Sequence, residues 1–148
     1  GSNQGLGGAG NDSITGGADN ETITGGAGVD TMVGGGGSDR FVFAAGDTST
    51  TTGSIDRITD FNDAGADTIS FGITATATNY AEISVGTYAQ ALSDATALIS
   101  SGSRDIVAVQ VGADVFVFAD ISSNNTVTGV VQLTGTANTD ISEANFAA

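Results

Sequence analysis

The chain has 148 residues, seventeen acidic and three basic side chains, a formal charge of −14, a pI near 4.1, and no Lys, His, Cys, Pro or Trp. Those absences exclude thiol and imidazole catalysis, a Ser-His-Asp triad, zinc held by its usual ligands, and any disulfide. So acidic a surface is repelled by nucleic acid and by anionic membranes, while 39% hydrophobic residues and a mean hydropathy of +0.13 leave material for a core. No apolar run approaches the roughly 18 residues of a membrane helix. The length suits one domain, or one domain with an appended module. With no initiator Met and no basic leader, the sequence reads as a fragment or a processed product.

Fourteen of the 23 glycines fall within residues 1–42, where the sequence repeats every nine residues. Gly7-Gly8-Ala9-Gly10-Asn11-Asp12-Ser13-Ile14-Thr15 is followed by Gly16-Gly17-Ala18-Asp19-Asn20-Glu21-Thr22-Ile23-Thr24. Gly25-Gly26-Ala27-Gly28-Val29-Asp30-Thr31-Met32-Val33 and Gly34-Gly35-Gly36-Gly37-Ser38-Asp39-Arg40-Phe41-Val42 complete the array. A fixed period signals a solenoid. The glycines allow a tight turn, an acid closes it, and the last three residues of each copy form a short strand. Ile14, Ile23, Met32 and Phe41 would face inward. Two copies per coil of a right-handed parallel roll would set turns on one edge eighteen residues apart.

Stacked turns gather carboxylates and glycine carbonyls into an oxygen-only cage. Without a cation the carboxylates repel and raise one another's pKa. A hard divalent ion with many flexible oxygen ligands resolves the conflict, and Ca²⁺ suits this better than Mg²⁺.

In these residues the sequence resembles the RTX family of calcium-binding repeats, three copies matching GGxGxDx(apolar)x. The resemblance implies that Asp12 and Asp30 share a calcium with carbonyls of Gly7, Gly8 and Gly10 and of Gly25, Gly26 and Gly28. The other edge would use Glu21 and Asp39 with the turn of Gly34, Gly35 and Gly37. The second copy departs from the pattern: Asp19 stands at a glycine position and Glu21 replaces the aspartate, and both are counted in the metal set. Several calcium ions are expected.

Phe41-Val42-Phe43 leads into Ala44-Ala45-Gly46-Asp47 and a Ser/Thr-rich loop. Ile55-Asp56-Arg57-Ile58-Thr59-Asp60-Phe61 and Gly65-Ala66-Asp67-Thr68-Ile69-Ser70-Phe71 follow. This D-x-I-x-D-F and D-x-I arrangement resembles the segment after the repeats in the C-terminal domain of serralysin-type proteases. That resemblance implies calcium ligands among Asp47, Asp56, Asp60 and Asp67 and an apolar plug for the open end of the roll. The alternative for each acid is a turn or strand-end cap. Ser70 stands where the family often has Asp, so that ligand is missing. Arg40 and Arg57 lie among acids and read as structural ion pairs.

From Ile73 the glycine period stops. Thr87-Tyr88-Ala89-Gln90 reads as a capping box, and Tyr88, Ala91, Leu92, Ala95, Leu98 and Ile99 recur at helical spacing before Gly102. Ile106–Val111, the turn Gly112-Ala113-Asp114, and Val115–Phe118 read as a hairpin. Val130–Leu133 makes another strand, and the chain closes on Ala144-Asn145-Phe146-Ala147-Ala148. This ending resembles proteins exported by type I secretion, whose uncleaved signal is C-terminal.

The fold expected is mainly all-β, a right-handed parallel β-roll (a calcium solenoid) continuing into a β-sandwich-like C-terminal part with one short α-helix. Residues 1–72 would be the roll and its capping segment, and residues 73–148 a β-rich subdomain with a helix at about 88–101 and the secretion signal. The function expected is a calcium-binding module that folds after export and serves as the C-terminal folding and secretion domain of a larger secreted or cell-surface bacterial protein. Its partners would be calcium and the type I secretion machinery, with no nucleic acid. The alternative is a calcium-dependent subunit of a surface layer, matrix or filament, self-associating at the cell surface. An enzyme is disfavoured, because every acid pair has a turn or cage explanation and little chain remains for a cleft.

Overall fold

A computed structural model of the chain describes residues 4–61 and 66–148. Gly65, which opens the second acidic strand segment of the sequence, lies outside the described residues. Strands are β1 (Gln4–Ala9), β2 (Ser13–Thr15), β3 (Thr22–Ala27), β4 (Thr31–Val33), β5 (Arg40–Val42), β6 (Asp56–Ile58) and β7 (Thr68–Ser70). They are followed by β8 (Tyr80–Val85), helix α1 (Tyr88–Ser100), β9 (Ile106–Val111), β10 (Asp114–Ala119) and β11 (Gly129–Leu133). Two single-turn 3-10 helices, Asn138–Asp140 and Glu143–Asn145, end the chain. Strands dominate, with one α-helix, as in an all-β protein.

Successive strands of the repeats alternate between two sheets. The first has the order β1-β3-β5-β7, and the second β2-β4-β6-β11-β10-β9-β8. Within the repeats every pairing is parallel at an offset of eighteen residues, as in Gln4↔Thr22, Ile14↔Met32 and Ile23↔Phe41. Two strands are longer than the three-residue tails expected. Pairing of β1 with β3 runs on through Gly8↔Gly26 and Ala9↔Ala27, because bare glycine backbones approach closely enough to keep the ladder.

Ile23, Met32 and Phe41 are fully buried between the sheets, joined by Ile58 and Ile69. Ile14, in the first coil, packs against this core while only partly buried. The second sheet runs across residue 72, since β11 lies parallel to β6 with Val131↔Asp56 and Leu133↔Ile58.

Residues 73–148 contribute one sheet rather than two facing sheets, which differs from a sandwich. β9, β10 and β11 are antiparallel neighbours with nearly every residue apolar, so both faces are buried. Val115, Val117, Ala119, Val131 and Leu133 face the core shared with the repeats. Val107, Val109, Phe118 and Val130 face α1 through Ala91, Ala95 and Ile99. The helix supplies the layer that a second sheet would have supplied.

Thr87 caps α1 by accepting the Gln90 amide at 3.3 Å, but the Gln90 side chain donates to Asp94 at 2.6 Å instead of closing a capping box. Gly102, at φ +69°, ends the helix with its amide on the Ile99 carbonyl at 2.9 Å. β8, a strand not expected from the sequence, runs parallel to β9 across the α1 crossover.

Candidate metal centre

Each strand-turn unit closes on an acid whose two oxygens do different things. On one edge, Asp30 Oδ1 accepts the Asp12 amide at 2.8 Å, and Asp56 Oδ1 accepts the Asp30 amide at 2.8 Å. On the other edge, Asp39 Oδ1 accepts the Glu21 amide and Asp67 Oδ1 the Asp39 amide, both at 2.8 Å. Each acid thus fixes the acid one coil earlier. Backbone amides hold these carboxylates by charge-assisted bonds, which are the strong kind.

On some of these acids one oxygen is left over. Asp12 Oδ2, Asp30 Oδ2, Asp56 Oδ2 and Glu21 Oε1 are buried and have no hydrogen-bond partner. Asp30 and Asp56 are wholly buried and Glu21 is 4% exposed. An ionised carboxylate oxygen taken out of water without a donor is costly by several kcal/mol, on the order of what one lost charged hydrogen bond costs or more. A cation is the partner this arrangement lacks.

The spare oxygens face the glycine turns. A Cβ on Gly7 would lie 2.8 Å from Asp12 Oδ2, and one on Gly25 or Gly34 would collide with Asp30 Oδ2 or Asp39 Oδ2. On the second edge, a Cβ on Gly16 would collide with the Gly34 carbonyl and come within 3.0 Å of Glu21 Oε2. The turns themselves stack as closely. At Gly26, with φ +93°, and Gly28, with φ +146°, a Cβ would strike the carbonyl oxygens of Gly8 and Gly10. Gly35 and Gly37 stand in the same way over the carbonyls of Gly17 and Asp19. Glycine is required here by both conformation and space. The result is a cradle whose walls are carbonyl and carboxylate oxygens.

Among the described residues no three carboxylates converge on one point. The acids come singly to each turn, so most ligands of any ion would be backbone carbonyls. An all-oxygen set built from flexible turns fits Ca²⁺ and not a metal that wants nitrogen or sulfur.

Electrostatics agree with crowding of like charge. Burial pushes Asp56 up to about 6; the Asp30 amide opposes this, and the charges of Asp30 and Asp47 add to it. Burial also raises Asp39, against its bond from the Glu21 amide, and Asp67, Glu21 and Asp60 push the same way through their charge.

The remaining acids named from the sequence are placed differently. Asp60 uses both oxygens on one turn, accepting the Gly34 amide at 2.9 Å and the Gly35 amide at 2.7 Å. Asp47 accepts the Ala44 amide at 2.8 Å, a local turn cap. Asp19 is exposed, and its carbonyl backs onto Gly37. Ser70 Oγ accepts from Arg40 Nη2 at 3.0 Å, and the same nitrogen reaches the Ala148 carbonyl at 2.8 Å. Arg57 Nε donates to Gln132 at 3.3 Å.

Two residues escaped notice in the sequence. Asn11 Oδ1 accepts the Val29 amide at 3.0 Å and Asn20 Oδ1 the Ser38 amide at 2.9 Å, lacing successive turns eighteen residues apart. Their repetition at one position of the first two copies was the available signal.

No curated protein matches the chain. The family of RTX calcium-binding nonapeptide repeats, in four copies, matches residues 1–32 and 16–49. The match covers the N-terminal third of this chain, where the glycine turns stack, and marks that stretch as similar to RTX calcium-binding nonapeptide repeats.

Proposed function

We propose that the chain is a calcium-responsive folding module, the C-terminal part of a larger protein exported from a bacterium by type I secretion. In this reading residues 1–72 form a right-handed parallel β-roll with its capping segment, and residues 73–148 a C-terminal subdomain ending in the secretion signal. Calcium ions sit between stacked turns. Asp12 and Asp30 serve one edge, with Gly7–Gly10 and Gly25–Gly28; Glu21 and Asp39 serve the other, with Gly16–Asp19 and Gly34–Gly37. Asp56 and Asp67 continue the two ladders, and Asp60 and Asp47 shape the turns beside them.

The observation that carries this is the split use of Asp30 and Asp56, with Oδ1 on a neighbouring coil's amide and Oδ2 buried without a partner. Without calcium those oxygens and the backbone entropy of the glycines disfavour the folded repeats. Where free calcium is scarce the chain stays extended enough to be threaded through a channel. Outside the cell, modules of this kind bind at roughly 10⁻⁴ to 10⁻³ M, and binding to the folded form alone supplies folding free energy by mass action.

Far-ultraviolet circular dichroism during a calcium titration, paired with calorimetry, tests the first half of this reading. Strand signal should grow with bound calcium, and a chain fully folded in chelator would end it. Fusing the chain behind a passenger, with and without residues 130–148, tests the second half, and equal export of the two would end that.

A further inference from the structure

The chain holds one methionine and no Cys, His or Trp. Its one thioether is therefore the group that a hydroperoxide oxidises most readily by two electrons. That sulfur stands inside the repeats. Met32 is the middle residue of β4 and is fully buried, at the inward position filled by Ile14, Ile23 and Phe41 in the other three copies. Its partners in register are Ile14 on β2 and Ile58 on β6. At the far end of the stack Phe146, 2% exposed, bridges to Ile69 and closes the same core. With no exposed surface, Met32 meets an oxidant only when β4 leaves the stack.

β4 is also the strand that the acids of one edge hold. Asp30 lies two residues before Met32 and is itself wholly buried. Its Oδ1 accepts the Asp12 amide, its own amide donates to Asp56, and its Oδ2 has no partner. The backbone is tied in the same way. The Thr31 amide donates to the Asp12 carbonyl at 2.9 Å, the Arg57 amide to the Asp30 carbonyl at 2.9 Å, and the Thr59 amide to the Met32 carbonyl at 3.1 Å. Seating Asp30 and burying Met32 are one event, because both belong to the same short run of backbone between β2 and β6.

We infer that Met32 is a calcium-gated oxidation site whose substrate is a hydroperoxide, and that its oxidation locks the repeats unfolded. The thioether lone pair attacks the outer peroxide oxygen. The S–O bond forms as the O–O bond breaks, sulfur gives up two electrons, and the departing oxygen takes up the hydroxyl proton to leave as water or an alcohol. The product is a polar sulfoxide on a side chain that was apolar. Its oxygen, a strong acceptor, would lie among hydrocarbon side chains, so burying it costs far more than burying the thioether. Ile and Phe at the equivalent positions undergo no such step. Calcium, by holding β4 in the stack, shields the sulfur, and a chain that meets the oxidant first folds only once the sulfoxide is reduced. The inference rests on the calcium-folding reading above.

The test treats the full chain with hydrogen peroxide in chelator and in saturating calcium, locates added oxygen by mass spectrometry, and then follows strand signal in a calcium titration. Oxygen should add at Met32 in chelator, and more slowly in calcium by about tenfold or more. At the calcium concentration that half-folds the untreated chain, the folded-to-unfolded ratio of the oxidised chain should fall by about tenfold or more. Methionine sulfoxide reductases, with a dithiol as reductant, should restore it. Met32→Ile and Met32→Leu, apolar and without sulfur, should each fold alike before and after peroxide. Equal oxidation in chelator and in calcium, beside strand signal that still grows with calcium, would overturn the gate alone. An oxidised chain that folds as readily as the untreated one, or peroxide damage that persists in the Met32 variants, would overturn the lock. Strand signal that fails to grow with calcium in the untreated chain would remove the calcium reading and this inference with it.

Discussion

In residues 13–42 one side chain per strand enters the core, and the rest of each repeat is turn, whereas in residues 106–133 strands bury both faces against apolar neighbours. The repeats place a buried acid where the later strands place Val or Phe. Glu21, Asp30, Asp39, Asp56 and Asp67 are all buried, and each belongs to the laddered edges. In the function proposed above, one region depends on an ion for part of its cohesion, and the other depends on the hydrophobic effect. They still share a sheet and a core, so loss of either is felt by both.

Chelation should divide the two regions most sharply. Removing calcium should expose the amides of β1–β5 to exchange before those of β9 and β10, and simultaneous exposure of both would show that the contrast is false. Next in size is Phe118→Ala, which removes a fully buried ring between β10 and α1. It should cost about 3–5 kcal/mol in denaturant melts at saturating calcium, while leaving the number of bound ions unchanged.

Asp30→Asn acts on the ion-dependent side. It keeps the acceptor for the Asp12 amide but removes the charge, so the calcium needed for half-folding should rise by about tenfold, the equivalent of 1.4 kcal/mol. Asp19→Ala, at an exposed position, should move that midpoint far less. Equal shifts in the two variants would unseat the laddered carboxylates as ligands.

A smaller difference separates two glycines. Both Gly8→Ala and Gly26→Ala carry the left-handed backbone penalty of roughly 1–2 kcal/mol. Only the second adds a collision with a stacked carbonyl. Thermal melts in calcium should rank Gly26→Ala as the more damaging, and the reverse order would mean that the turns do not stack as described.

The mildest prediction is a pH effect. Asp56 is raised from 3.8 to about 6, so between those values the folded chain holds a proton that the unfolded chain has released. Without metal, that protonation favours folding: the contribution grows as pH falls through about 6 and is lost as pH rises above it. Calcium competes with the proton for the same carboxylate. Because the unfolded chain has already released that proton, half-folding should need no more calcium at pH 5 than at pH 7, with more strand signal in chelator at pH 5, and a chelator signal indifferent to pH would show that Asp56 does not hold the proton.

The repeats were legible because their period is short and their chemistry local. Ile23, Met32 and Phe41 are buried where a nine-residue register puts them, and the acids fall one per turn. What could not be read was the division of labour within each carboxylate, since it depends on an amide eighteen or more residues away. Asp60 illustrates this. Its residue type suggested a ligand, yet both oxygens are taken by the Gly34 and Gly35 amides. β8 was missed although Ala81, Ile83 and Val85 alternate with Tyr80, Glu82 and Ser84, a period-two pattern overshadowed by the stronger helical one beside it. The single C-terminal sheet was hidden for another reason. Its hydrophobic strands suit either a sandwich or a helix-covered sheet, and only tertiary packing decides between them.

The bridge from Phe146 to Ile69 carries a kinetic consequence. Neighbouring coils join residues eighteen apart, whereas Phe146 meets Ile69 and Val131 meets Asp56 across about half the chain. Closing a long loop costs more entropy and takes longer than closing a short one. Coils can therefore zip as soon as their two copies are free, but the latch at the far end must wait until residue 146 is at liberty. A polypeptide still gripped by its last residues can build the stack and yet not lock it.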